Sequence, residues 1–536
     1  MGCLTERGLI VGDPSLLSLT EASARIADGR LTSRALVAAC LDRIARLDPI
    51  LNVWVSLDAD RALTLAAEAD AAISAGRRRG PLHGIPYGVK DILFASDFPT
   101  RAASRLPFAT PEGAEAAVIR RLRDAGAILL GKLNTYEFGT GNGAVYDDLP
   151  VLPARNPWNP NHFTGGSSTG PGAAVAARMA PFALGTDTGG SVRLPAAACG
   201  VIGLKPTYGL VPRSGMLLNS PSQDHIGPLT CTAADAALVL EAIAGADPLD
   251  PASVSPPGSS PRDEGLDGLT IAVARGFHTG TPQATVAIAA GFERVVETLS
   301  SGGARIVDRE SEIGTHDYRA CSRVINAVES MAIHRHWLDT PGVRIGSALR
   351  DKLEGAQELA ASAYVDAVRW RRSLNREVAR LMDGCDVLLC AGAMTTAPRI
   401  DDEQGCIDFT GDSAMAAFNL SGSPAISVPC GFDDRGLPLN VQFAARAFDE
   451  PTLFRVTSSL EASLQVHTQC PADPAGTLAD YASPPSPPSR DGRTAMLAER
   501  LKGTASRIPR PLPDTLEPAH VFLADQHGSR ARGHHD

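Results

Sequence analysis

The stretch Ala183-Leu184-Gly185-Thr186-Asp187-Thr188-Gly189-Gly190-Ser191-Val192-Arg193-Leu194-Pro195-Ala196-Ala197-Ala198-Cys199-Gly200-Val201-Ile202-Gly203-Leu204 reads as strand, turn, helix and strand. Ala183 to Thr186 is a short strand, and Gly189-Gly190 lets the backbone turn tightly. Ser191 to Cys199 starts a helix, and Val201 to Leu204 is a strand again. Outward from here the alternation continues. His83 to Leu93 and Ala127 to Lys132 are strand candidates, and between them Val118, Leu122 and Ala125 repeat on one helical face. Gly172 to Ala180 is small and helical. Leu269 to Ala274, Ala304 to Val307, Val387 to Leu389, Ala425 to Val428 and Leu439 to Phe443 are further strands. Such alternation predicts an α/β fold with a large mixed or mostly parallel sheet between helical layers.

At the N-terminal end, residues 1 to about 75 read as a helical lead. Ser18-Leu19-Thr20-Glu21 resembles a helix start, and Leu31 to Leu47 carries apolar residues at helical spacing. Asp247 to Asp263 is rich in Pro and Ser and reads as an exposed loop. Residues 318 to 383 read as helical, with Ala367, Trp370, Leu374, Val378 and Leu381 on one stripe. That stripe is expected to pack on the core, although such an insert also suits the roof of a site. From Pro471 the composition changes. Ten of the forty prolines fall in the last 66 residues, which predicts a largely extended or disordered tail, with one short helix near Thr494 to Lys502. The expected division is therefore one domain over 1–470 and a tail over 471–536, dispensable for chemistry.

Bulk properties exclude several functions. A net charge of −10 argues against nucleic acid and anionic membrane as partners. There is no apolar run of 18 residues, so no membrane span is expected. Met1 to Ile10 lacks the pattern of a secretory signal, and Glu6 stands where a myristoylation motif after Gly2 wants Ser or Thr. The ten cysteines are scattered without a C-x-x-C pair, which fits buried thiols in a reducing cytoplasm and no metal site. No cofactor is implied.

Three segments carry the chemistry. Ser191 follows a glycine turn at a helix start, where free N–H groups of Thr188, Gly189, Gly190 and Ser191 could hold an oxyanion. Taken alone, Gly-Gly-Ser is more often a simple helix cap. Lys90 ends the apolar run His83-Gly84-Ile85-Pro86-Tyr87-Gly88-Val89-Lys90, with Asp91 its only adjacent charge. Burial would favour the neutral amine a base needs, whereas an isolated strand-end lysine usually reaches solvent. The pair Ser167-Ser168 sits in Gly165-Gly166-Ser167-Ser168-Thr169-Gly170. A hydroxyl there could pass a proton between an amine and a second serine, or merely cap the following helix.

Together these segments resemble the amidase signature family, in order and spacing, over about residues 18 to 465. Further matching stretches are Cys199 to Gly209, Asp224-His225-Ile226-Gly227-Pro228-Leu229 and Phe418 to Ala425. The resemblance implies Ser191 as nucleophile, Ser167 as a bridging serine on a cis peptide, and Lys90 as base. It also implies that Asp187 and Arg193 brace the glycine turn, together with Ser168. Thr169 and Pro171 depart from the family's Gly and Ser. The segment Ile508 to Phe522 is similar to the end of a small accessory protein found beside carboxybiuret-type amidases.

A competing motif reads Gly166-Ser167-Ser168-Thr169-Gly170 as a nucleophile elbow on Ser168. That elbow needs a buried strand before it, and residues 155–162 are polar and broken by proline. His225, His278 and His334 then need no triad role. The expectation is hydrolysis of a small-molecule amide through an acyl-enzyme. The alternative is one component of a tRNA-dependent amidotransferase, and a non-catalytic scaffold is disfavoured by the intact Lys and Ser set. The oligomeric state stays open, a homodimer being the assembly considered. Residues 135–150 and 318–383 are expected to shape the pocket.

Overall fold

The computed structural model describes residues 12–488, apart from 107, 109, 112, 142, 258–264 and 341–343, and residues 501–509. Among them eleven strands form one sheet. They are β1 (Trp54–Leu57), β2 (Pro86–Lys90), β3 (Ile128–Leu133), β4 (Phe182–Asp187), β5 (Ile202–Lys205), β6 (His225–Thr230), β7 (Thr270–Val273), β8 (Arg305–Asp308), β9 (Val387–Ala391), β10 (Ala425–Phe432) and β11 (Pro438–Ala445). The spatial order is β1-β3-β2-β4-β6-β5-β10-β11-β9-β7-β8. Neighbours are parallel at β3-β2-β4 and β9-β7-β8 and antiparallel elsewhere, so the sheet is mixed as expected. Every residue of β2, β3, β4, β5, β6, β9 and β11 is buried. Strands buried along their whole length need helices on both faces, which makes this an α/β/α sandwich.

Local signals account for many elements. Ser18 caps helix Leu19–Ala27: its hydroxyl accepts from Glu21 N at 3.2 Å, and Glu21 accepts from Ser18 N at 2.9 Å. Helix Ala361–Leu381 buries Ala367, Leu374, Val378 and Leu381, with Trp370 half-buried beside them. The helical reading of 318–383 resolves into Thr315–Asp339, Ser347–Gln357 and Ala361–Leu381.

One expectation is corrected, and two features are added to the sequence reading. The N-terminal lead is not helical throughout, because β1 pairs antiparallel with β3. Strand β6 lies in the middle of the sheet, although Pro228 lacks an N–H for the ladder. Gly227 permits it: a Cβ there would stand 2.0 Å from Leu204 O. The described part of the Asp247–Asp263 stretch is largely exposed, with only Asp247 and Asp250 buried at its start, where Arg213 Nε donates to Asp250 Oδ2 at 3.3 Å.

The described part of the tail lies against the core. Arg43 pairs with Asp473 at 3.3 Å, and Arg155 Nη1 donates to Ala482 O at 2.7 Å. Residues 501–506 are helical and Ile508 is buried in the main core. Positions 494–500 of the expected short helix lie outside the described residues. The described cysteines are free thiols. No helix of the described residues is long and apolar enough to cross a membrane, and no cluster of three metal-ligating side chains occurs among them.

Candidate active site

Parallel pairing of β2 with β4 sets Tyr87 beside Phe182 and Val89 beside Leu184. The two strands therefore end together, β2 on Lys90 and β4 on Asp187, at the carboxyl edge where open α/β sheets bind ligands. Lys90 is fully buried. Its Nζ donates to Ser167 Oγ and to Thr186 Oγ1, each at 2.7 Å. Burial lowers its pKa to about 7, against the opposing charges of Asp187 and Asp224. Asp91, the adjacent charge in sequence, points elsewhere: it pairs with buried Lys132 at 3.0 Å. A carboxylate contact would have held Lys90 protonated, and none exists at its amine among the described residues.

Ser167 follows a cis peptide from Gly166. Besides meeting Lys90, its hydroxyl donates to Gly139 O at 2.7 Å. Gly166 makes room for the Tyr136 ring, which would lie 2.3 Å from a Cβ. Ser168 plays a different part. Its Oγ donates to Thr186 O at 3.1 Å and accepts from Thr186 N at 3.2 Å, and its own N–H donates to Ser191 O at 3.2 Å. Ser168 thus ties the serine loop to β4 and to the turn. Thr169 opens helix Thr169–Ala176 and Pro171 falls in its first turn, where a missing N–H costs nothing. The two departures leave the loop on its helix. Residues 155–162 form no strand, as the elbow reading would require.

Asp187 organises the turn that carries Ser191. Its carboxylate accepts from Gly190 N at 2.8 Å and Val192 N at 3.2 Å, and pairs with Arg193 Nη2 at 3.0 Å. Burial would push its pKa up, but the Arg193 charge and hydrogen bonds override it and hold the carboxyl well below its usual range. Arg193, fully buried, also donates to Gln442 Oε1 at 2.6 Å and Asn419 Oδ1 at 2.7 Å. Gly190 has φ +117, and a Cβ there would meet Met415 Sδ at 2.9 Å.

Two details differ from expectation. The helix after the turn begins at Arg193, not Ser191, so Ser191 stands on the turn itself. The Gly190 N–H is spent on Asp187. Among the described residues, the N–H groups of Thr188, Gly189 and Ser191 carry no hydrogen bond within the chain.

Ser167, Thr188, Gly189 and Ser191 line one cleft. Its walls come from Tyr136 to Gly141 and from Arg319 to Ala327, within the two regions expected to shape it. Several contributors went unassigned in the sequence. Thr186 holds the lysine amine. Asp224 accepts from Thr188 Oγ1 at 2.6 Å and from Asn219 N at 2.8 Å, and burial raises its pKa to about 6. Lys352 reaches Asn219 Oδ1 at 3.1 Å, and burial lowers its pKa to about 7. Thr186 and Asp224 lie inside the stretches Gly185 to Pro195 and Asp224 to Leu229, which is the local signal for them. Lys352 sits on a helix with no local mark of its role. His225 is a bracing residue, its Nδ1 2.6 Å from Gln223 O and 3.2 Å from Asp187 O.

The Amidase family model matches residues 35–454. The chain is 35% identical over 469 residues to a component of the glutamyl-tRNA(Gln) amidotransferase of Thermosynechococcus vestitus, covering 81% of this chain and 95% of that one. It is 36% identical over 465 residues to the putative amidase AmiD of Mycobacterium tuberculosis, covering 85% and 96%. The solved peptide amidase of Stenotrophomonas maltophilia superposes with a TM-score of 0.71 at 32% identity, covering 85% and 98%. With a match across most of its length and a mixed sheet carrying the lysine and serine segments at one edge, this chain belongs to the amidase signature family of enzymes.

Proposed function

We propose that this enzyme hydrolyses a small-molecule amide through an acyl-enzyme on Ser191. The observation that carries the reading is the 2.7 Å contact between buried Lys90 Nζ and Ser167 Oγ, in the cleft that Ser191 lines. The Ser167 hydroxyl turns from Gly139 O to neutral Lys90, which takes its proton, and Ser167 takes that of Ser191 as the Ser191 oxygen attacks the carbonyl carbon. The carbonyl oxygen becomes an oxyanion beside the N–H groups of Thr188, Gly189 and Ser191. Gly190 contributes through its turn conformation, its own N–H being held by Asp187. The proton returns along Lys90 and Ser167 to the leaving nitrogen as the carbon–nitrogen bond breaks. Water, deprotonated by the same relay, then cleaves the ester. No step calls for a metal or organic cofactor. Free thiols, all but Cys470 buried among the described residues, suit a reducing cytoplasm.

The similarity to a tRNA-dependent amidotransferase component supports a second reading, in which the same site releases ammonia for an acylated tRNA within a complex. Purifying the chain by itself and screening aliphatic, aryl and urea-like amides separates the two. Turnover by the isolated chain, lost in Ser191→Ala, supports the hydrolase. Turnover only after adding partner proteins supports the transferase.

A further inference from the structure

We propose that the C-terminal segment 501–508 is a wall of the substrate cleft and limits the size of the amide admitted, an inference that rests on the amidase reading. Leu501 and Thr504 line the same cleft as Ser191. The family model ends at residue 454, so this wall comes from outside the matched region.

The segment has a boundary to keep. Beyond Thr504 lies a second cavity, and Arg319, Arg323, Ile407, Gly411 and Thr504 face both spaces. Gly503 and Arg507 face only the second. The helical turn, together with Arg319, Arg323, Ile407 and Gly411 of the core, therefore separates the catalytic cleft from a neighbouring open cavity. With the turn removed, the two spaces join, and a substrate group that now meets Leu501 would extend past it. The wall is largely apolar where Leu501 and Ile407 meet the cleft, so it acts on the hydrocarbon part of an amide.

The segment is attached by recognisable contacts. Ile508 is 5% exposed and belongs to the main core, and Ala505 packs against that core. Lys502 Nζ pairs with Glu358 Oε2 at 3.0 Å, and Arg507 meets His316. Both polar ties are exposed, where such pairs contribute little. Ile508 is the anchor, because burying its side chain is the favourable term of any size here.

The test is a size series of primary amides: acetamide, butyramide, hexanamide and benzamide. Four proteins are compared: the full chain, Ile508→Asp, Leu501→Trp, and the chain truncated after Pro488. Loss of the wall should raise kcat/KM for hexanamide and benzamide relative to acetamide by at least roughly tenfold, the low end of what one methylene is worth in an apolar pocket. Leu501→Trp should lower the same ratio. Acetamide, too short to reach the wall, is the reference against which each ratio is taken. An unchanged ratio in folded Ile508→Asp and in Leu501→Trp overturns the proposal, whether or not the truncation folds. If the full chain hydrolyses no amide, the hydrolase reading fails by itself. Calorimetric binding of the same amides then reads the wall: a larger hexanamide preference in Ile508→Asp supports it, and no change, or no binding by any variant, overturns it.

Discussion

Lys90 Nζ lies 2.7 Å from the hydroxyl of Thr186, a residue on the strand next to its own. This pairing follows from the parallel register of β2 and β4 and places a second hydroxyl on the amine opposite Ser167. An acceptor of this kind favours the charged amine, offsetting part of the burial effect. Thr186→Val should therefore lower the Lys90 pKa further. A hydrogen bond of about 1 kcal/mol corresponds to somewhat under one pH unit. The acidic limb of the rate profile should move down by about half a unit, while kcat falls roughly tenfold as the amine loses its orientation. A limb that stays in place or moves up would refute this role for Thr186.

The position of that limb is itself a prediction. A lysine with a pKa of about 7 is neutral above that pH and protonated below it. Activity should fall as pH drops through about 7, and Lys90→Ala should be nearly inactive at every pH. A log(rate) profile flat from pH 8 to about 5, the low end documented for buried lysines, would count against a lysine base.

Ser191→Ala should abolish turnover while leaving the fold intact. The side chain is half-buried and stands on the turn, and Asp187 holds that turn through the backbone and Arg193. Thermal unfolding should match the parent within experimental error. Activity within about tenfold of the parent, which is about 1.4 kcal/mol of barrier, would remove Ser191 from the nucleophile role.

Asp187→Asn should cost stability as well as activity. It leaves the fully buried Arg193 guanidinium without its counter-charge, and breaking such a pair costs about 3–5 kcal/mol. Because the folded-state pKa of Asp187 is depressed, its stabilisation is fully present above the ordinary value of 3.8 and is lost only as pH falls below it. Denaturant midpoints at pH 7 should therefore show the full loss in the variant. An unchanged midpoint would mean the pair does not brace the fold.

Gly190→Ala should damage the turn without removing any reacting group. The backbone there has φ +117, and the added methyl would press on Met415. Turnover should fall by at least about tenfold as the N–H groups beside Ser191 shift, the scale on which losing one oxyanion donor acts. Wild-type turnover in a folded Gly190→Ala variant would show that the turn geometry is not needed.

The sequence by itself determined the fold class and the three chemical segments. Strand, glycine turn and helix are local patterns, and Lys90, Ser167 and Ser191 sit on them. Capping at Ser18 and the stripe on helix Ala361–Leu381 are equally local. What only the tertiary structure decided depends on residues far apart in the chain. Strand β6 exists because its neighbours β4 and β5 provide ladders that outweigh the poor strand chemistry of Gly227-Pro228. Asp91 was the obvious partner of Lys90 by adjacency. Yet β2 ends on Lys90, Asp91 opens the turn after it, and there it pairs with Lys132 from β3. Thr186, Asp224 and Lys352 enter the site from 96, 134 and 262 positions beyond Lys90, through strand register and helix placement that no window of sequence contains. The clearest case is Leu501 and Thr504. A proline-rich composition predicts an extended tail, and only the tertiary structure sets Leu501 and Thr504 at the cleft with Ile508 buried in the core beside them.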